Sequence, residues 1–219
     1  MRIHFKFVVY LLLAAWFSVA QAGSYDDFFT AIKQDDAKTI EALLKRGFDP
    51  NTVDPAGNAG LFIALKDGAL KAADVLVAAP RTKVEWRSAK DESPLMIAAL
   101  RGHLELAKKL IARDADVNKT GWTPLHYAAT GGHLEMIQLL LDESAYIDAE
   151  SPNKTTPLMM AAQYGSTAAV KLLLEAGADP TLRNELKLSA VDFALRSNRK
   201  DAAELIAETI RRANTKGKW

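Results

Sequence analysis

Apolar residues fall along much of the chain in blocks spaced like one face of a helix. Leucine and isoleucine occupy every third or fourth position over 134–141, and 104–111 carry the same pattern. This spacing is typical of an amphipathic helix with one buried face. Each of these blocks follows a shorter stretch that begins Ser/Thr-Pro-Leu and ends Ala-Ala. The chain therefore predicts helix pairs, which we place at about 24–47, 60–79, 94–113, 124–143, 157–176 and 190–212.

The shorter stretch recurs at a nearly constant interval. Strong copies start at Ser93, Thr123 and Thr156, and weaker copies start at Ala59 and Ser189. The spacings between successive starts are 34, 30, 33 and 33 residues. A fixed period of this length predicts a repeat protein, in which each unit buries one face against its neighbours.

The residue types within each copy suit the ends of helices. The Ser or Thr can accept a backbone N–H, and the proline after it stands at the first helical position, where its missing N–H costs nothing. Glycines are expected to turn the chain into the second helix or to supply the left-handed conformation that ends it. The first set is Gly102, Gly132 and Gly165, and the second is Gly47 and Gly177.

This pattern resembles the ankyrin repeat, whose T-P-L-H-x-A-A, G-H and G-A-D-x-N elements recur at about 33 residues. The clearest matches are Thr-Pro-Leu-His at 123–126, Gly-His-Leu-Glu at 132–135 and Gly-Ala-Asp-Pro at 177–180. The resemblance implies an all-α solenoid of stacked helix-turn-helix pairs with hairpin finger loops. It would cover residues 23–213 as one domain of about six pairs, the outer two acting as caps, with 214–219 as a frayed tail.

Some positions depart from the family pattern. The link through 83–86 is one residue too long, and the link at 118–122 is three residues short, so we expect a blunted finger there. Asp114 and Ser144 stand where the family prefers glycine. An individual binding shape is expected between the second and fourth repeats.

The first 22 residues predict a cleaved signal peptide. A positively charged start precedes eleven apolar residues, Phe7 to Phe17, and Ala20 and Ala22 stand three and one positions before the expected cut. The apolar run is too short to cross a bilayer, although an uncleaved membrane anchor is the alternative. We expect the mature chain to start at Gly23, to have no membrane span and to be periplasmic in a Gram-negative bacterium, with release into the medium left open.

Composition supports an exported protein without a polyanionic partner. The chain has no cysteine, which suits an oxidising compartment and argues against a lipid-anchored lipoprotein. Cleavage after residue 22 would remove Arg2 and Lys6, leaving 26 basic against 27 acidic residues. A net charge of −1 does not favour nucleic acid or anionic membrane as a partner.

Candidate chemistry is sparse. No thiol, nucleophile elbow, phosphate loop or zinc motif occurs in the sequence. His103 and His133 are one repeat apart, too far to share a metal, and the resemblance implies that His126 makes hydrogen bonds within and between repeats. Adjacent carboxylates such as Asp91 and Glu92 are expected to be solvated. We therefore predict no enzyme, no cofactor and no metal site.

The resemblance implies that a partner binds on the concave face, which finger loops and first helices form together. Trp122, Tyr164 and Arg101 are the main candidates, because Trp, Tyr and Arg dominate interface energies. The other predicted contacts are Leu100, Lys90, Glu92, Asn153, Gln163 and Arg196, and the finger residues Leu186 and Leu188 face the same way.

The sequence leaves several functions open. The first is a monomeric, non-catalytic adaptor or stabiliser of another exported protein. The resemblance to small exported bacterial ankyrin proteins implies that the partner could be a periplasmic oxidative-stress enzyme such as catalase. The second is an immunity protein that neutralises a secreted toxin. A metal-binding protein or enzyme, and a structural role in the envelope, are further alternatives.

Overall fold

A computed structural model describes residues 23–215, and its helices form six consecutive pairs. The signal peptide predicted over 1–22 and the last residues of the predicted tail, 216–219, lie outside the described residues. The helices are α1 (23–33), α2 (Ala37–Lys45), α3 (Gly60–Asp67), α4 (Leu70–Ala78), α5 (Pro94–Arg101), α6 (Leu104–Ile111), α7 (Pro124–Gly131), α8 (Leu134–Asp142), α9 (Pro157–Gln163), α10 (Thr167–Glu175), α11 (Ala190–Arg196) and α12 (Lys200–Thr215). Over 23–215 there is no strand, only an isolated bridge between Val53 and Ala59. The predicted all-α repeat fold is confirmed.

The described residues fall into two compact units, which meet at Lys83 and Val84. The first unit contains α1 to α4 and the second contains α5 to α12. The boundary lies in the link that the sequence marks as irregular, where α4 ends at Ala78 and is followed by Ala79 and Pro80. The single continuous domain expected over 23–213 stays a prediction.

The predicted capping residues begin the helices. The hydroxyls of Ser93, Thr123, Thr156 and Ser189 each accept the backbone N–H of the third helical residue. The side chain of that third residue accepts the capping residue's own N–H in return. These third residues are Met96, His126, Met159 and Asp192. Two otherwise unpaired N–H groups at each helix start are thereby satisfied.

The positions that follow the first helices require glycine for two different structural reasons. Gly102 and Gly132 turn the chain into the second helix as predicted, and they do so in left-handed backbone conformations with φ near +70°. Gly165 also lies where the chain turns into the second helix, but it does so without a positive φ. A Cβ there would overlap the carbonyl oxygen of Ala129 and lie 2.9 Å from the Cα of Ala161. Gly165 is therefore required by close packing of two neighbouring first helices.

The paired alanines of the first helices are fully buried. Ala98, Ala99, Ala128, Ala129, Ala161 and Ala162 have no exposed surface. Their small side chains allow helices α5, α7 and α9 to stack closely. At the other end of the second unit, α12 continues to Thr215, past the boundary expected at residue 213. The Thr215 hydroxyl donates to the carbonyl of Arg212, which extends this last turn.

Side chains in the links carry hydrogen bonds from one repeat to the next, within each unit. In the first unit the Asn51 side chain donates to the carbonyl of Arg81 and accepts the N–H of Lys83. In the second unit the Asn118 side chain donates to the carbonyl of Ser144 and accepts the N–H of Tyr146. Carboxylates make two further bridges, from Glu85 to the N–H of Asp116 and from Asp148 to the N–H of Asp179.

Candidate functional site

Finger loops of one common design precede most of the first helices. In each, the N–H of the first residue donates to the carbonyl of the fifth, and the side chain of the first residue accepts the N–H of the fifth. These loops are Asp54–Asn58, Ser88–Glu92, Ser151–Thr155 and Asn184–Leu188. A short polar side chain at the first position therefore closes each finger on itself.

The loop at 118–122 lacks this closure, and a buried lysine takes its place. The amine of Lys119, whose side chain is only 7% exposed, donates to the carbonyls of Thr120 (2.9 Å) and Trp122 (3.2 Å). It also pairs with the carboxylate of Asp91 in the preceding finger. This pairing lowers the pKa of Asp91, chiefly through the hydrogen bond from the amine. The shortened finger is thus held in position by one charged group.

His126 ties the fourth helix pair (α7 and α8) to the next finger. Its Nε2 donates to the carbonyl of Thr155 at 2.8 Å, so its Nδ1 is free of a proton and accepts the N–H and hydroxyl of Thr123. The ring is fully buried, and burial lowers its pKa to about 4. The role that the resemblance implies for His126 agrees with this geometry.

The other two histidines of residues 23–215 also lie against the helix turns. The Nε2 of His133 lies 3.0 Å from the carbonyl oxygen of Leu100, one repeat earlier. Burial lowers the pKa of His103 below its usual range. Over residues 23–215 no three His, Asp or Glu side chains are grouped in a way that would hold a metal ion.

Five of the predicted contact residues meet in one groove of about 310 Å³ in the second unit. They are Trp122, Asn153, Gln163, Tyr164 and Arg196. Tyr164 is 58% exposed and Leu186 beside it is 73% exposed, whereas the Trp122 ring is half-buried and meets the edge of His126 at 5.2 Å between centroids. Finger loops and first helices of three consecutive repeats therefore contribute to a single concave site.

The remaining predicted residues lie outside this groove. Lys90 lines a second cavity of about 470 Å³, which Trp122 also lines. Glu92 is held within the protein, because the hydroxyls of Ser88 and Tyr127 donate to its carboxylate. Leu100 and Arg101, at the end of α5, line neither cavity. That these nine residues bind a partner stays a prediction.

The sequence did not single out Met160, Asn184 and Phe193, which complete the groove. Met160 lies three and four positions before Gln163 and Tyr164, so helical periodicity places all three on one side of α9. That spacing was the available signal for Met160. Phe193 and Asn184 depend on how the sixth repeat stacks on the fifth, which a single sequence does not reveal.

A different cavity, of about 530 Å³, lies in the first unit. It is lined by the aromatic rings of Tyr25, Phe29 and Phe62. Three carboxylates and two lysines share its lining: Asp26, Asp54, Asp67, Lys33 and Lys66. Its charges are mixed, whereas Arg196 is the charged residue that lines the groove of the second unit.

Comparison with known proteins identifies the repeat. A family model described as ankyrin repeats (3 copies) matches residues 28–120, 61–151, 95–184 and 143–216. Among curated proteins, the chain is 30% identical over 155 residues to the nuclear factor NF-kappa-B p105 subunit of Gallus gallus. It is 35% identical over 167 residues to the ankyrin repeat and SAM domain-containing protein 6 of Mus musculus. These matches cover 68% and 75% of this chain, but each covers only 16% of the relative.

Solved structures share the fold. An ankyrin repeat domain from Acinetobacter baumannii superposes with a TM-score of 0.71 at 24% identity, covering 83% of this chain and 96% of that one. The ankyrin repeat domain of human ASB11 gives 0.71 at 28% identity, covering 82% and 81%. A chain from the complex of a Bdellovibrio bacteriovorus predatory endopeptidase with an immunity protein gives 0.72 at 24% identity, covering 83% and 97%. Over residues 23–215, no helix has the length and apolar character needed to cross a membrane.

Proposed function

Since this chain belongs to the ankyrin-repeat family, whose repeats form protein-interaction modules, we propose that it binds another protein through the groove between Trp122 and Arg196. The observation that carries the proposal is the convergence of an aromatic pair, an arginine and an exposed leucine in one concavity. Large exposed apolar side chains grouped in a concave site are characteristic of interaction surfaces.

The proposal also names the compartment in which the protein acts and its role there. The basic start, the short apolar run and the Ala-x-Ala end of residues 1–22 support export, and the absence of cysteine suits the periplasm. The mature chain acts there without catalysis, as an adaptor or stabiliser of an exported protein, for example an oxidative-stress enzyme such as a catalase. Recovery from periplasmic extract of a chain with the mass of residues 23–219 tests the export step, and a chain retaining residues 1–22 would contradict it.

The groove is tested by site-specific photo-crosslinking in the native host. A photoreactive phenylalanine analogue replaces Tyr164 or Leu186 in the groove, and Tyr146 provides the matched control. Tyr146 is 69% exposed and does not line the groove, so it reports non-specific neighbours. We expect one protein to cross-link from both groove positions and not from Tyr146.

A double substitution adds an affinity measurement. Trp122→Ala with Tyr164→Ala should weaken binding of the cross-linked partner by roughly 2 kcal/mol or more, as expected for paired hot-spot aromatics. Tyr146→Ala with Leu134→Ala removes similar exposed apolar surface elsewhere and should leave affinity unchanged. Equal affinity of the two folded double variants would overturn the assignment of the site.

An immunity role is the alternative, because the similar structure from Bdellovibrio bacteriovorus is a complex that contains an immunity protein. The identity of the partner decides between the two roles. A resident enzyme supports the adaptor, whereas a secreted toxin whose activity the chain blocks at one-to-one ratio supports immunity.

A further inference from the structure

We propose that the groove of the second unit takes an extended segment of the partner that carries an apolar side chain and, toward α11, an Asp or Glu side chain. This inference rests on the proposed function and specifies the chemistry of the segment that the groove recognises. It follows from the charge, the hydrogen-bonding groups and the span of the groove.

Arg196 supplies the charge. It is the charged residue lining the groove, and no carboxylate lines it. Within residues 23–215 its guanidinium makes no hydrogen bond or ion pair. The pKa of Asp192 on the same helix is lowered chiefly by hydrogen bonds from Ser189, and the charge of Arg196 helps to lower it. That carboxylate, however, is held by the N–H (2.8 Å) and hydroxyl (2.7 Å) of Ser189 and faces Arg183 at 3.8 Å. An outside carboxylate is therefore the complementary partner for Arg196, since arginine pairs readily with carboxylates.

The other polar groups are mainly donors. The indole N–H of Trp122 and the side-chain amide of Gln163 make no hydrogen bond within the described residues. The Asn153 oxygen accepts the Ser151 hydroxyl at 2.6 Å, while its NH₂ group makes no hydrogen bond there. Groups of this kind fit the main-chain carbonyls of an extended segment, which present acceptors at regular intervals.

The lining of the groove also has an apolar part. Met160, Leu188 and Phe193 are half-buried, and Tyr164 and Leu186 stand exposed at the rim. An apolar side chain entering the groove would cover both rim residues. An apolar anchor bordered by donors and one cation therefore selects a segment in which an apolar residue and an acidic residue are close together.

The groove spans three consecutive repeats, from Trp122 to Arg196. Neighbouring helices pack about 10 Å apart, so two repeat steps cover about 20 Å. An extended chain advances about 3.3 Å per residue, and about six residues would cover this distance. A segment of this length places the anchor and the carboxylate within a few residues of each other.

The test uses a phage-displayed library of random twelve-residue peptides, selected on the full chain. Parallel selections use Arg196→Glu and, as a matched control, Arg211→Glu on α12, which makes the same charge change outside the groove. The parent and Arg211→Glu should enrich peptides with an apolar residue within three positions of Asp or Glu. Arg196→Glu should instead enrich Lys or Arg at the acidic position.

Enriched peptides are then synthesised with the acid and with its amide. The change from Asp to Asn should weaken binding to the parent about fivefold at low salt, and it should strengthen any residual binding to Arg196→Glu, where the acid faces a like charge. Sensitivity of this difference to added salt is a second readout of the charge pair.

The outcomes separate the two proposals. Peptides without acids whose binding is lost in Trp122→Ala would overturn the carboxylate inference and leave the groove as a protein-binding site. If the same peptides are enriched on the parent, on Trp122→Ala and on Arg196→Glu, or if no peptide is enriched, the inference is overturned. Either result also counts against the groove as the protein-binding site. Self-association of the chain that Leu186→Asp abolishes would make a second copy the occupant and would overturn the inference as well.

Discussion

The fourth and fifth repeats are neighbours in the second unit, but they stabilise their finger loops and the starts of their first helices with different side chains. The fifth closes its finger with the Ser151 hydroxyl, whereas the fourth holds a shorter finger with the Lys119 amine. At the third position of the first helix, the fifth has Met159, which serves only its own cap, and the fourth has His126, which also reaches the next finger. A repeat can thus replace hydrogen bonds within its own finger loop by bonds to the adjacent repeats and still keep the same fold.

The first helices of the two repeats meet at Gly165, and this contact carries the largest expected effect. Gly165→Ala should lower the free energy of unfolding by about 3 kcal/mol, because the new Cβ would overlap the Ala129 carbonyl. Gly177→Ala is the matched control, since φ there is +101° and nothing lies within 4 Å of the added Cβ. That control should cost about 1 kcal/mol. Urea unfolding measures both, and equal midpoints would contradict the close-packing explanation.

The pH dependence of stability tests the state of His126. Folding lowers its pKa from 6.5 to about 4, so the proton favours the unfolded chain. Stability should be complete above about pH 6.5 and should fall by up to about 3 kcal/mol as the pH drops toward 4. Urea unfolding across this range measures the slope.

His126→Met makes the fourth repeat like the fifth and isolates the contribution of the ring. It keeps an acceptor for the Thr123 N–H, as Met159 has for Thr156, but loses the bond to Thr155. The variant should lose about 1 to 2 kcal/mol at pH 7.5 and should lack the extra slope between pH 6.5 and 4. Glu85 and Asp148, whose pKa values are raised by burial, titrate in both proteins, so the difference between the two profiles is the measurement. Parallel profiles would contradict the buried neutral ring.

Lys119→Met tests whether the amine holds the short finger. The carbonyls of Thr120 and Trp122 lose their donor, and we expect a loss of about 1 to 2 kcal/mol. Amide hydrogen exchange over 118–122 should become faster in the variant. Lys90→Met, at an exposed neighbouring position, should change neither quantity. An unchanged amide exchange rate in Lys119→Met would show that the loop keeps its conformation without the lysine amine.

The smallest effect concerns the ends of the second helices. Ser144 in the fourth repeat has φ +64°, where the fifth repeat has Gly177. Ser144→Gly should raise the free energy of unfolding by about 0.5 to 1 kcal/mol, because glycine adopts this conformation without strain. Asp114→Gly, with φ +64° in the third repeat, should behave alike. A lower unfolding midpoint for either variant would contradict this account.

The sequence predicted best what depends on local chemistry. Ser93 and Thr156 were identified as caps because a hydroxyl before a proline has few other roles at that spacing. The packing role of Gly165 was missed because the sequence does not distinguish a glycine that only permits a turn from one that also permits close packing. Lys119 was missed because lysine is almost always exposed.

The groove that we propose as the binding site could be predicted only in part from the sequence. Repeat position places Trp122, Tyr164 and Arg196 on fingers and first helices, and they do meet. Leu100 and Arg101 occupy the positions equivalent to Gln163 and Tyr164 two repeats earlier, but they do not line the groove. Which exposed residues share a concavity depends on loop lengths and on the stagger between helices, and neither is encoded by any one residue.

The bridges between links have a consequence for how the chain folds. Each joins residues 26 to 32 positions apart, as in the pairs from Asn51 to Lys83 and from Asn118 to Tyr146. Structure can therefore form wherever two adjacent repeats first meet and then grow outward, without a search for distant partners. A chain of this design can begin to fold as soon as two repeats have been synthesised, before its last residues are added.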